Sequence, residues 1–315
     1  MTNYNNNNDI NSFNTVICNN KIKINSNYNI FNIDTEKKNN LLNIIQIKYK
    51  PDEVIISTIT VTCKFHTKFF CENIARYVNL SYNGILSIIY GIHGNSETNR
   101  TIVPIKKLSG KKRKSKKFFF NQVSMRVNVK SKIKPVNVKI FSNGAIQMTG
   151  CLTVENAIDA ILIILEEFKN IKAICDFKNK KIIEKPFADN LSELVMEKID
   201  KFKIGMINSN FVFPVKIDRP KLYNLFKSEG FNCLYDPMKH ACVNVKYDHI
   251  EKQISIFIFE KGSIIITGSQ NCKQILEAYN FINRYLLKNI NKIIKNDNLT
   301  NSNITKFLES NKPKI

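Results

Sequence analysis

No apolar run in the 315-residue sequence approaches the roughly 18 residues that a membrane span needs. The opening decapeptide, MTNYNNNNDI, has no apolar signal core. The expectation is therefore an intracellular, soluble protein without a membrane partner. CxxC pairs are also missing, and eight cysteines are too few for a disulfide scaffold, so reduced thiols are expected. The nearest metal-like cluster, Cys63, His66 and Cys71, lacks a fourth ligand. Its cysteines fall in strand and helix patterns that read as core, so no metal is expected. There is no Walker loop and no pair of carboxylates on one helix face. Only four histidines are present, and no serine or cysteine has a recognisable base partner. Neither an enzyme nor a cofactor is expected. Acids are scarce as well: 26 against 48 lysines and arginines, a net charge of +22. That excess leaves the fold open, but it predicts attraction to polyanions, nucleic acid first and anionic membrane second.

What the sequence does have is a repeat. Val138 to Gly150 reads VKIFSNGAIQMTG, and Ile256 to Gly268 reads IFIFEKGSIIITG. The two share Ile140/Ile258, Phe141/Phe259, Gly144/Gly262, Ile146/Ile264, Thr149/Thr267 and Gly150/Gly268, always 118 residues apart. Each is the second half of a longer unit. The first unit opens with a β-branched strand, EVIISTITVTCKF, then a short helix, HTKFFCENIARYV. The strands FFFNQVSMRVNV, VNVKIF and AIQMTG follow, the last two joined at Asn143-Gly144, a hairpin signal because both residues tolerate positive φ. A long helix, TVENAIDAILIILEEF, closes the unit. Ile158, Ile161, Leu162, Leu165 and Phe168 give it one apolar face, and Thr153 is placed to cap it. The second unit repeats the order with IGMINSNFVFPVKI, RPKLYNLFKSEG capped by Asp218, HACVNVKYD, QISIFIFEKGSIIITG and a closing helix from about residue 272.

The division predicted from these patterns has five parts. Residues 1–45, with 15 asparagines in the first 40, are too polar to offset their ordering entropy and are expected to be disordered. Repeat 1 spans 46–168 and carries a basic insertion at about 83–117, with eight basic residues and no acid between Lys106 and Lys117. That run reads as a phosphate tether, a nuclear-import signal or a solvated loop. A linker at 169–201, with a short helix at NLSELVMEKIDKF, precedes repeat 2 at 202–294, and a polar tail fills 295–315.

Such a duplication predicts an α+β fold: two tandem pseudo-symmetric repeats forming one curved antiparallel sheet, a saddle with the helices on its convex face. Phe141, Phe259, Thr149 and Thr267 share strand parity, and Phe257 and Ile265 join them in repeat 2. With helices covering the other parity, these residues form an open, partly apolar face, and such a face is a binding surface.

In these motifs the chain resembles the TATA-box-binding protein family, over roughly residues 52 to 290, in the divergent form carried by large DNA viruses of eukaryotes. The resemblance rests on IFSNGAIQMTG and IFEKGSIIITG, each followed by a helix. It also rests on FNQVSMRV and YDPMKHACVNVKY, and on the first strands ISTITVTCKF and FVFPVKI. The family is the type example of minor-groove kinking by inserted side chains. The resemblance implies a transcription initiation factor that binds double-stranded AT-rich promoter DNA. It further implies partners among transcription factor IIB-like initiation factors and RNA polymerase, a monomer when DNA-bound, and action in a nucleus or a cytoplasmic viral factory.

Carried over by the motifs, one wedge pair falls on Phe120 and Phe141 and the other on His240 and Phe259, so one wedge is an imidazole. The family's two central asparagines fall on Val54 and Ile204 and are replaced. The rest of the saddle floor falls on Ile56, Met206, Lys139, Gln147, Thr149, Phe257, Ile265 and Thr267, and the phosphate contacts on Arg126 and Lys246. Two rival readings remain: a degenerate saddle that docks protein, favoured by the lost asparagines, Lys139 and Gln147, and a saddle that is an accessory domain of a DNA-repair enzyme.

Overall fold

The computed structural model describes residues 52–92, 96–104, 121–176 and 178–295. Phe120, the basic run from Lys106 to Lys117, the asparagine-rich start and most of the polar tail lie outside the described residues.

The chain forms one curved, eleven-stranded antiparallel sheet with helices packed on one face. Its two central strands are β1 (Ile55–Lys64) and β9 (Asp200–Val212), the first strands of the two repeats, paired antiparallel. On one side of them come β6 (Ala145–Cys151), β5 (Val136–Phe141) and β4 (Gln122–Val127), and on the other β13 (Ser263–Ser269), β12 (Gln253–Phe259) and β11 (Cys242–Asp248). The central pairing has pseudo-twofold symmetry. Thr58 faces Asn208 and Thr60 faces Met206, and a 148-residue shift exchanges the two pairs. The same shift relates Phe65 to Phe213, whose amides bond the carbonyls of Gly144 and Gly262 at 2.9 and 2.8 Å.

Both glycines sit at positive φ, +90° and +83°. A Cβ on either would lie 2.2 or 1.9 Å from the carbonyl oxygen of Phe65 or Phe213. The two hairpin turns thus need glycine twice over, for conformation and for the close approach of backbone.

The helices are α1 (Cys71–Tyr77), α2 (Val154–Phe168), α3 (Arg219–Ser228), α4 (Cys272–Lys288) and the single turn α5 (Ile290–Ile293). The two long ones share one start device. In α2 the Thr153 hydroxyl accepts from the Asn156 amide, and Asn156 Oδ1 accepts from the amides of Leu152 and Thr153. In α4, Asn271 accepts from Gln274 N, and Gln274 Oε1 accepts from Gln270 N. Each satisfies donors that a helix start leaves open. Asp218 caps α3 through Lys221 N, as expected. Between helices and sheet lies a continuous core in which Ile140, Ile146, Ile258, Ile264, Ile161 and Ile282 are fully or almost fully buried.

Three elements differ from the sequence expectation. The first helix begins at Cys71, not at His66. Residues 65–70 are held out of the helix because Phe65 bonds Gly144, Phe69 bonds Ser142 and Phe70 bonds Phe187. The expected insertion contains two strands, β2 (Ile85–Ile92) and β3 (Ser96–Thr101), which extend the sheet beyond β4. Repeat 2 has only the two-residue β10 (Cys233–Leu234) at the matching edge. Arg100 on β3 donates to the carbonyls of Ala75, Arg76 and Val78, capping the C-terminus of α1 with a cation.

The segment between the repeats is also structured. It forms a hairpin of β7 (Lys172–Asp176) and β8 (Lys181–Lys185), then two 3₁₀ turns (Leu191–Glu193 and Met196–Lys198) in place of the expected helix. Residues 186–190 strap across repeat 1. Phe187 is fully buried, with its ring centroid 5.2 Å from that of Phe168, and Asn190 N bonds the Thr67 hydroxyl.

Among the described residues no helix is long and apolar enough to cross a membrane.

Candidate nucleic-acid interface

The sheet face opposite the helices is built by strand alternation. Along β5 the side chains of Val136, Val138 and Ile140 are buried, while Lys139 and Phe141 are half-buried on the open face. β12 repeats this: Ile254, Ile256 and Ile258 are buried, and Phe257 and Phe259 are half-buried. Thr149 and Gln147 on β6, and Thr267 and Ile265 on β13, occupy the same open parity.

Strand register arranges these residues in rows. One row runs Ser124, Lys139, Gln147, Thr62, Lys203 across repeat 1 to the centre. Its counterpart runs Asn244, Phe257, Ile265, Asn210, Ile55. A second counterpart row is Lys246, Ser255, Thr267, Asn208, Thr58, in which Lys246 Nζ donates to Ser255 Oγ at 2.6 Å. Arg126 is exposed beside Asn137, with Thr149 next across the sheet, at the equivalent place in repeat 1. Each half of the face thus carries a cation, Arg126 on β4 and Lys246 on β11. Repeat 1 is polar throughout the row in which repeat 2 carries Phe257, Ile265 and Ile55.

His240 is exposed and sits just before β11. Its amide bonds the Asp236 carbonyl at 2.7 Å, closing the turn that presents it. With Phe257, Phe259, Ile265 and Thr267 it lines one depression of about 550 Å³, bounded on the far side by Ser57, Thr58 and Asn208. Of the residues expected in repeat 2, His240, Phe257, Phe259, Ile265 and Thr267 therefore converge. In repeat 1 Phe141 lies at the end of β5, with Gln122 as its cross-strand neighbour.

Three floor assignments, Val54, Ile204 and Ile56, are corrected. Val54 and Ile204 are 0% and 7% exposed, buried in the core. The reason is a pair of bulges. In β9 the register steps from Thr60↔Met206 to Val61↔Ile204, leaving Gly205 as the extra residue and turning Ile204 to the helix side. In β1 the step from Ile56↔Ser209 to Thr58↔Asn208 does the same at Ser57. The 148-residue relation pairs Ile204 with Ile56 and Met206 with Thr58, so the alignment of Val54 with Ile204 is two residues out of step. Ile56 is half-buried and packs against the core, and Met206 is half-buried on the open face.

The centre of the open face is formed instead by Thr58, Thr60 and Thr62 of β1 and Met206, Asn208 and Asn210 of β9. Thr60 is the most enclosed of these, at 7% exposure. Asn208 is held on all sides: its Nδ2 donates to Thr58 Oγ1 at 2.9 Å and its Oδ1 accepts from the Thr267 hydroxyl. An amide thus stands at the middle of the sheet after all. Part of the signal was available in the sequence: TITVT places a threonine at every second position of an otherwise apolar run.

The cysteine cluster is not gathered into a site. Burial pushes the Cys63 thiol up to about 12 and the Cys71 thiol to about 11. His66 instead reaches Asp200 at 3.4 Å. Among the described residues no three potential ligands converge on a metal position.

A two-repeat antiparallel sheet with one face under helices and the other bare defines a saddle-type α+β protein. Comparison with known proteins places it more narrowly. The family model described as Transcription factor TFIID (or TATA-binding protein, TBP) matches residues 201–289, the repeat without the long insertion. A TATA-box-binding protein-like protein of Acanthamoeba polyphaga mimivirus is 36% identical over 294 residues, covering 88% of this chain and 76% of that protein. Among solved structures, Methanococcus jannaschii TBP aligns with a TM-score of 0.42 and 16% identity, over 73% of this chain and 95% of that one. The chain belongs to the TATA-box-binding protein-like family, a family of transcription factors and not of enzymes.

Proposed function

We propose that the protein binds AT-rich duplex DNA in the minor groove through its helix-free face, bends it, and marks promoters for transcription initiation. The single observation that carries this reading is the open sheet face, with Phe141, Phe257 and Phe259 half-buried on it and a cation in each half, on β4 and on β11. An apolar sheet reads the major groove's polar edges poorly, but it can press on a widened minor groove and lever base pairs apart with side chains. Phe141 and Phe259 are the wedges, Phe120 and His240 their partners. Arg126 and Lys246 neutralise phosphate, and the outer faces of α2 and α4 dock transcription factor IIB-like factors and the polymerase. The protein works as a monomer on DNA.

A second reading is favoured by one observation, the polar row Lys139, Gln147, Thr62, Lys203: a saddle that docks protein and holds DNA only by charge. Affinity for an AT-rich duplex and a G·C-rich duplex across salt separates the two. The proposed function expects AT preference that persists as salt rises, on a log–log slope of about −0.9 per phosphate neutralised. Equal affinities that vanish together with salt would support the second reading.

A further inference from the structure

The two halves of the open face are related by the fold's own pseudo-symmetry yet differ in chemistry. Lys139, Gln147 and Lys203 occupy the positions that Phe257, Ile265 and Ile55 occupy in the other half. This is no general drift towards polarity, because the neighbouring row keeps a threonine in both halves, Thr149 and Thr267. In this row every apolar member of repeat 2 is matched in repeat 1 by a donor or by a group that both donates and accepts.

In the minor groove, A·T and T·A pairs present acceptors only, whereas G·C adds the guanine N2 amino donor. Against Phe257 and Ile265 that donor would be buried without a partner. Against Gln147 it meets an amide oxygen, while the amide nitrogen and the Lys139 ammonium can serve the acceptors that every base pair offers. We infer that the specific ligand is a composite duplex: an A·T-only half under repeat 2 and a half that admits G·C under repeat 1. Gln147 and Lys139 are the residues that set this tolerance. An asymmetric ligand then fixes which way round the saddle sits, and so the direction in which docked factors face. This inference rests on the minor-groove reading above.

The test uses the full chain and four duplexes sharing one A·T-rich core: unsubstituted, with one G·C pair in the left half, in the right half, or in both. Because the protein can dock either way round, each single substitution should cost only about twofold, the loss of one of two orientations. The double substitution should cost about tenfold or more, the effect of a wrong base pair. Lys139→Phe/Gln147→Ile should make either single substitution cost the variant, relative to its own affinity for the unsubstituted duplex, what the double one costs the natural chain. Phe257→Lys/Ile265→Gln should restore binding to the doubly substituted duplex. Single losses that each equal half the double loss on a logarithmic scale, or a double loss below threefold, would overturn the inference with minor-groove binding intact. Failure to bind any of the four would overturn both. If either variant does not fold, the four-duplex comparison on the natural chain decides alone.

Discussion

Gly144 and Gly262 show how single residues hold the duplicated plan together. Each turns a hairpin at positive φ while its backbone touches the strand that opens its repeat. Gly150 has a similar φ, +79°, but open space where its Cβ would stand. Gly262→Ala and Gly150→Ala therefore share a backbone strain of about 1–2 kcal/mol, and only Gly262→Ala adds a clash with the Phe213 carbonyl. Urea denaturation should find Gly262→Ala the more destabilising by at least about 1 kcal/mol. Equal losses would mean that the strand exit yields freely and does not pin the turn. These glycines were legible in the sequence because the turn chemistry is local. Val54 and Ile204 were not, because their orientation depends on bulges that reverse strand parity, and one extra residue leaves no mark in an apolar, β-branched run.

At the level of elements, the hairpins and long helices could be read directly, since period-two and period-3.6 patterns were long and ended in turn or cap residues. The inter-repeat segment could not. KAICD and KIIEK are short strands, partly or largely exposed, with no clear alternation. The following strap owes its position to one aromatic side chain and to backbone bonds made across repeat 1. Phe187 packs against Phe168, the last residue of α2, and residues 186–190 bond α1 and the segment before it. Phe187→Ala should cost about 3–5 kcal/mol, measured as a shift in the urea midpoint at constant slope. A loss below about 1 kcal/mol would mean that the strap is peripheral and repeat 1 is stable without it. The strands β2 and β3 escaped for a different reason: they adjoin a lysine-rich run that dominates the composition of the insertion.

The whole molecule is a saddle of two unequal halves under a net charge of +22. Charge alone would hold any nucleic acid. The sheet face is what makes the account specific, and Phe141 and Phe259 are its symmetric, half-buried points. The measurement that bears most directly on this is end-to-end energy transfer on a doubly labelled AT-rich duplex. The natural chain would be compared with Phe141→Ala/Phe259→Ala, and a G·C-rich duplex would serve as control. The natural protein should shorten the end-to-end distance of the AT-rich duplex alone. The double variant should bind more weakly, by about tenfold or more, and leave the duplex straight. Binding that ignores sequence, produces no bend and survives the double substitution would contradict a wedge role for the two phenylalanines.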